Sequence, residues 1–127
     1  MTLQTWIKRI LLSINEEEPE VEVDKYYPEI IAKSMLISAD GAHAIHPNYS
    51  NKHQNEHKVY LHNGIVFKYN SNQRYATNTL TASMIKQLCI NNNIPIQDFV
   101  VRNDSPCGST IGPMMSSNIG IRTIDIG

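Results

Sequence analysis

The run Met35-Leu36-Ile37-Ser38-Ala39 is short, continuous and apolar, and it stops at Asp40-Gly41. No other feature constrains the fold as tightly. Apolarity without alternation over a stretch too short for a helix is the pattern of a strand buried on both faces, as in a layered α/β sheet. Asp40 then stands at the strand's C-terminal end. Ile65-Val66-Phe67-Lys68-Tyr69 reads as a second strand from its β-branched and aromatic content, Phe99-Val100-Val101 as a third, and Ile121 to Ile126 as a fourth. Helical signals fall between them. Asn78 or Thr79 can cap a helix with Leu80, Met84, Ile85 and Leu88 on one face, ended by Asn91 to Asn93 and Pro95. Pro113 suits the first turn of a shorter helix and Gly120 its stop. Upstream, Trp6, Ile7, Ile10, Leu11 and Ile14 mark one face of an amphipathic helix over about Leu3 to Asn15. Glu16 to Glu22, acidic and containing Pro19, reads as an exposed connector.

Strand, helix, strand, short helix, strand is the alternation of an α/β layer, so the expected class is a partial mixed, mostly parallel sheet with flanking helices. In such sheets ligands gather beyond the carboxyl ends of the strands, which would place Asp40, the loop from Asn103 and the position after Gly127 at one edge. With 127 residues there is room for one domain. A chain stopping directly after a buried-looking strand is expected to be part of a larger one. Hydrophobic residues make up 41% and charged residues 18%, which suits a chain with a core. The net charge of -1 provides no basic field for a phosphate backbone, so nucleic acid is not an expected partner. No apolar run approaches the roughly 20 residues of a membrane span, and no secretion signal is visible. The chain reads as soluble, and its two unpatterned cysteines fit a reducing compartment, by default the cytoplasm.

Three groups of residues could carry chemistry. All five histidines lie between Gly41 and Gly64, beginning Asp40-Gly-Ala-His43-Ala-Ile-His46-Pro47. Carboxylate and imidazole together suit zinc, while a solvated histidine-rich loop with an Asp-Gly turn is the plain alternative. Pro47 argues against a helix that would bring His43 and His46 onto one face. The second group is Asn103-Asp-Ser-Pro-Cys-Gly-Ser-Thr-Ile-Gly-Pro113. A glycine-rich turn opening a helix can present N–H groups to an anion, but neither a phosphate loop nor a nucleophile elbow is present. Cys107 there is read as a buried, inert thiol. The third group is Lys68 at the end of the second strand with Arg74 and Tyr75 beyond it, either a fixed cation able to receive a carboxylate or the exposed Lys and Arg common at strand edges.

Taken as whole motifs, Ile37-Ser-Ala-Asp-Gly-Ala-His-Ala-Ile-His-Pro-Asn-Tyr49, Asn72-Gln-Arg-Tyr-Ala-Thr-Asn78 and Val101-Arg-Asn-Asp-Ser-Pro-Cys-Gly-Ser-Thr-Ile-Gly-Pro113 resemble consecutive signatures of aspartyl aminopeptidases, the M18 family of metallopeptidases. Arg122-Thr-Ile-Asp-Ile-Gly127 continues the resemblance in order. It covers residues 33–127. Residues 1–32 match weakly, as a helix and a variable acidic connector.

The resemblance implies the C-terminal part of a zinc-exopeptidase catalytic domain, from an enzyme that removes N-terminal Asp or Glu from peptides and assembles into a large homo-oligomer. It implies two zinc ions per complete site, with Mn or Co as possible substitutes. Asp40 matches a zinc ligand, whereas His43, Lys68 and Tyr75 match substrate-facing positions. Gly41 stands where many members have Met, which bears on pocket shape. The general base and the remaining metal ligands are expected outside these residues, so no catalytic residue is assigned within the chain and the isolated chain is expected to be inactive. Two other readings stay open. One is a non-catalytic interaction or assembly module derived from the same fold, and the other is a histidine-rich metal buffer.

Overall fold

The computed structural model describes residues 2–14 and 20–127. Four strands, β1 (Met35–Ala39), β2 (Ile65–Tyr69), β3 (Ile96–Val100) and β4 (Arg122–Ile126), form one sheet in the order β1-β4-β2-β3. Four α-helices flank it: α1 (Leu3–Ile14), α2 (Glu20–Lys33), α3 (Thr79–Asn91) and α4 (Ile111–Ile119). β1 and β4 run parallel, Met35 opposite Arg122 through Ala39 opposite Ile126, and β2 and β3 run parallel from Ile65 opposite Ile96. The two pairs meet antiparallel where Phe67 faces Ile126.

The sheet is therefore mixed with flanking helices, as the alternation of elements predicts. The single carboxyl edge expected from a mostly parallel sheet does not form. Because β2 and β3 run against β1 and β4, Asp40 and Gly127 end one pair while the Asn103 loop follows the other. What joins them is the seam between β2 and β4. Val66 and Gly127 exchange N–H···O bonds of 2.8 Å in both directions, and Asp40 N donates to Ile126 O at 3.0 Å. A side chain at Gly127 would place its Cβ 2.6 Å from Asp40 O and Ala42 N, so glycine permits the turn after β1 to press against the end of β4.

Phe67 and Ile124, both fully buried, pack with Ala82 and Cys89 of α3 on one side of the sheet. On the other side of β2, Val66 packs with Val59, Phe99 and Val101 beneath the long loop, and Lys68 shares that side by the two-residue period of the strand. Asn78 caps α3 through a reciprocal pair of bonds with Thr81, and Gly120 ends α4 in the left-handed conformation at φ 70°, both as the sequence signals indicate.

Several expectations need correction. β1 is an edge strand with Ile37 half exposed, so it is not buried on both faces. On α3, Leu80, Met84 and Leu88 face outward, and Thr81, Ala82, Ile85 and Cys89 face the sheet. Of the expected apolar face, only Ile85 turns to the sheet, and Leu80, Met84 and Leu88 mark the outer face. β3 begins three residues earlier than expected. The connector read over Glu16 to Glu22 falls partly outside the described residues, and α2 starts at Glu20 within it. Val23, Tyr27 and Ile31, spaced at i, i+4 and i+8, are buried, and Tyr27 and Ile31 pack with Ile7 and Leu11 of α1 and with Ile121. That face sustains a helix containing Pro28, which forgoes one backbone bond.

Candidate functional site

Lys68 is 2% exposed and Asp125 fully buried, and between them they organise the region where β2 meets β4. The Lys68 ammonium donates to the carbonyl oxygen of Asp40 at 2.5 Å and stands 5.6 Å from the centre of the Tyr75 ring. This links the end of β1 to the middle of the sheet. Burial pulls the Lys68 pKa below its ordinary value, against the opposing pull of Asp40, Asp125 and Cys107. Tyr75 is held protonated, its pKa raised first by burial, then by the hydrogen bond with Cys107 and by the negative charges of Asp125 and Asp40. Cys107 Sγ lies 3.5 Å from Tyr75 Oη.

These groups border a cavity of about 160 Å³ lined by Asp40, His43, Lys68, Tyr75, Ser109 and Thr110. Asp40, His43, Lys68 and Tyr75, the four residues singled out in the sequence, thus line one cavity. Asp40 and His43 are exposed at its rim, Tyr75 is half-buried and Lys68 is buried. Such an arrangement offers an anion a desolvated cation and a neutral phenol. A larger cavity of about 490 Å³ shares the His43 and Tyr75 walls and is lined also by His46, His53, Pro106 and Cys107. Cys107 therefore sits partly exposed in a cavity wall, which corrects its reading as a buried thiol.

Sharing a cavity wall does not make the histidines a metal site. His43 and His46 are exposed, and His53 is buried with Nε2 3.1 Å from the carbonyl oxygen of His43. Among the described residues, no group of three or more His, Cys, Asp and Glu is placed to hold a metal ion. These residues do not form a zinc site by themselves, and Asp40 fits only as one donor of a larger set.

Sequence reasoning missed Asp125. Its Oδ2 accepts from Ala76 N at 2.6 Å and its Oδ1 from the Thr110 hydroxyl at 2.7 Å. Its own backbone N donates to Thr77 Oγ1 at 3.0 Å. An aspartate inside the otherwise apolar Ile124-Asp125-Ile126 was the available signal, since a strand interior accepts a charge only with partners.

The chain matches the family model "Aminopeptidase I zinc metalloprotease (M18)" over residues 2–127, and it belongs to that family of zinc metalloproteases. A relative from Ricinus communis, named "Probable aspartyl aminopeptidase", is 55% identical over 103 residues, covering 81% of this chain and 21% of the relative. Among solved structures, one described as the "Ape4 and Nbr1 complex" aligns at TM-score 0.84 and 45% identity, over 97% of this chain and 23% of that one. The "S. cerevesiae mApe1 dodecamer" aligns at TM-score 0.69 and 29% identity, over 80% of this chain and 22% of that one. The chain spans about a fifth of the length of the Ricinus relative. No helix among the described residues is long and apolar enough to cross a membrane.

Proposed function

We propose that this chain forms the C-terminal part of the catalytic domain of an aspartyl aminopeptidase, an enzyme that removes N-terminal Asp or Glu from peptides. The observation that carries this reading is the buried Lys68 lining one cavity with Tyr75 and with the exposed Asp40 and His43. A substrate carboxylate entering that cavity pairs with an ammonium already removed from water. A neutral side chain would leave the ammonium unpaired, so the penalty falls on the wrong substrate. The Tyr75 phenol, kept protonated, donates a second hydrogen bond, and His43 closes the rim.

Asp40 is proposed as one zinc ligand of a two-metal site whose other ligands, with the general base, come from the rest of the protein. Mn or Co are possible substitutes. In that complete site zinc supplies activation of the water that attacks the peptide bond. The residues of this chain orient the acidic N-terminal residue and exclude water around it. By analogy with the dodecameric relative, the whole protein is proposed to be a homo-oligomer.

The test is hydrolysis of an N-terminal aspartyl substrate by this chain alone and by the protein at full family length, each with zinc added. Activity confined to the longer protein and lost in Asp40→Ala supports the reading. Activity in the short chain would refute the placement of the missing ligands.

A second reading, a non-catalytic assembly module, is favoured by the outward apolar row Leu80, Met84 and Leu88 on α3 and by the open edge of β1. It predicts assembly of this chain with itself or with the longer protein, and no aminopeptidase activity in either form.

A further inference from the structure

We propose that Asp125 is a positioning residue for the Lys68 cavity, its carboxylate clamping together two segments that line that cavity. This rests on the reading of that cavity as the pocket for the substrate's acidic residue. One segment is Arg74 to Thr77, which carries Tyr75; the other is Gly108 to Thr110. Neither is a regular element, and each approaches from a different part of the chain. Asp125 Oδ2 takes the N–H of Ala76, the residue directly after Tyr75, and Oδ1 takes the hydroxyl of Thr110. Direct bonds run alongside this clamp, from Thr110 N to Arg74 O at 3.5 Å and from Ser109 Oγ to Arg74 O at 3.3 Å. These are longer than the two bonds to the carboxylate and lie at the far end of ordinary hydrogen-bond lengths, so the ionised acceptor makes the stronger tie.

Two further observations point to a clamp, as distinct from an incidental buried acid. Thr110 stands at the N-cap of α4, where a hydroxyl ordinarily accepts from the helix, yet its side chain makes no cap bond and serves Asp125 instead. Gly112 approaches the carboxylate so closely that a Cβ there would lie 2.4 Å from Oδ2. The first turn of α4 is thus shaped around Asp125. Because Tyr75 and Thr110 line the same cavity as Lys68, the clamp sets the width of the space a substrate carboxylate must enter.

The experiment uses the zinc-loaded enzyme of full family length with N-terminal aspartyl and N-terminal alanyl substrates. Thr110→Val removes one arm of the clamp at nearly constant volume. Its KM for the aspartyl substrate should rise about tenfold, the loss of one charge-assisted bond, while kcat changes less than about twofold. Thr110→Ser, which keeps the hydroxyl, should restore the KM, and the alanyl substrate should show no such rise. A purely structural role would lower the melting temperature of both variants and leave the KM of the folded enzyme unmoved, and that result overturns the proposal. If Thr110→Val does not fold, Asp125→Asn takes its place, since the amide still accepts from Ala76. An aspartyl KM raised about threefold is then expected, because the Thr110 hydroxyl must turn to accept from the amide N–H and the charge-assisted bond becomes a neutral one. An unchanged KM overturns the proposal there too. Failure of the wild-type enzyme to prefer the aspartyl substrate would instead remove the pocket assignment itself, and this inference with it.

Discussion

The two buried charges near the seam of β2 and β4 are treated differently by their surroundings. Asp125 has donors on both carboxylate oxygens and a side-chain partner for its own N–H. Lys68, with three N–H donors, has one hydrogen bond among the described residues, to the Asp40 carbonyl, and the face of Tyr75 as its other neighbour. A fully paired buried charge organises the chain around itself, whereas an under-paired one beside a cavity keeps donors in reserve for a ligand. The acid builds the wall, and the base is left to bind.

The strongest way to break this contrast is Asp125→Ala. Two donors, Ala76 N and the Thr110 hydroxyl, would be left buried without an acceptor, and the expected loss is about 4 kcal/mol in urea denaturation. A loss under about 1 kcal/mol would show that the carboxylate does not hold this region.

Lys68→Met reverses the expectation. Removing an under-paired buried charge at similar volume should change stability by less than about 1 kcal/mol. In the full-length enzyme the same change should lower kcat/KM on N-terminal aspartyl substrates about a hundredfold, with little effect on alanyl ones. Equal losses on both substrates would place Lys68 outside acidic-residue recognition.

The same contrast explains which parts of the molecule are legible in the sequence. Asp40, His43 and Tyr75 stand out because they sit in motifs with a family resemblance and Lys68 because it is a cation at a strand end, and the structure gathers all four in one cavity. Asp125 lies in a comparable motif but does its work through main-chain and hydroxyl partners far away in sequence, and local patterns do not encode such partners. The strands were readable where Gly, Asn and Pro bound an apolar run, as at Ile65 to Tyr69. Their directions were not, because β2 and β4 meet antiparallel over a short seam, Phe67 opposite Ile126 with the two Val66–Gly127 bonds beside it. Helix α2 was hidden by its acidic start and Pro28, although Val23, Tyr27 and Ile31 carry the right period. On α3 the apolar row misled, since the sheet selects side chains that fit the space and not the most hydrophobic ones.

Gly112→Ala sharpens the comparison without touching either charge. The new methyl group would meet both carboxylate oxygens of Asp125 within 2.5 Å, so the acid or the start of α4 must shift. An overpacking cost of about 2 kcal/mol is expected by thermal or urea unfolding. A stability change near zero would mean that the carboxylate can move aside freely, and the clamp would then be loose.

The smallest effect separates the clamp from the helix that follows it. Asn78 comes directly after Thr77 and caps α3, its Oδ1 accepting from Thr81 N at 3.0 Å while the Thr81 hydroxyl accepts from Asn78 N at 3.2 Å. Asn78→Ala removes one arm of this capping box and should cost about 1 kcal/mol. Because Ala76 and Thr77 remain bonded to Asp125, the position of Tyr75 should not change, and the aspartyl KM of the full-length enzyme should stay within about twofold of wild type. A KM rise comparable to that of Thr110→Val would show instead that α3 holds the Tyr75 segment in place, and that Asp125 merely follows it.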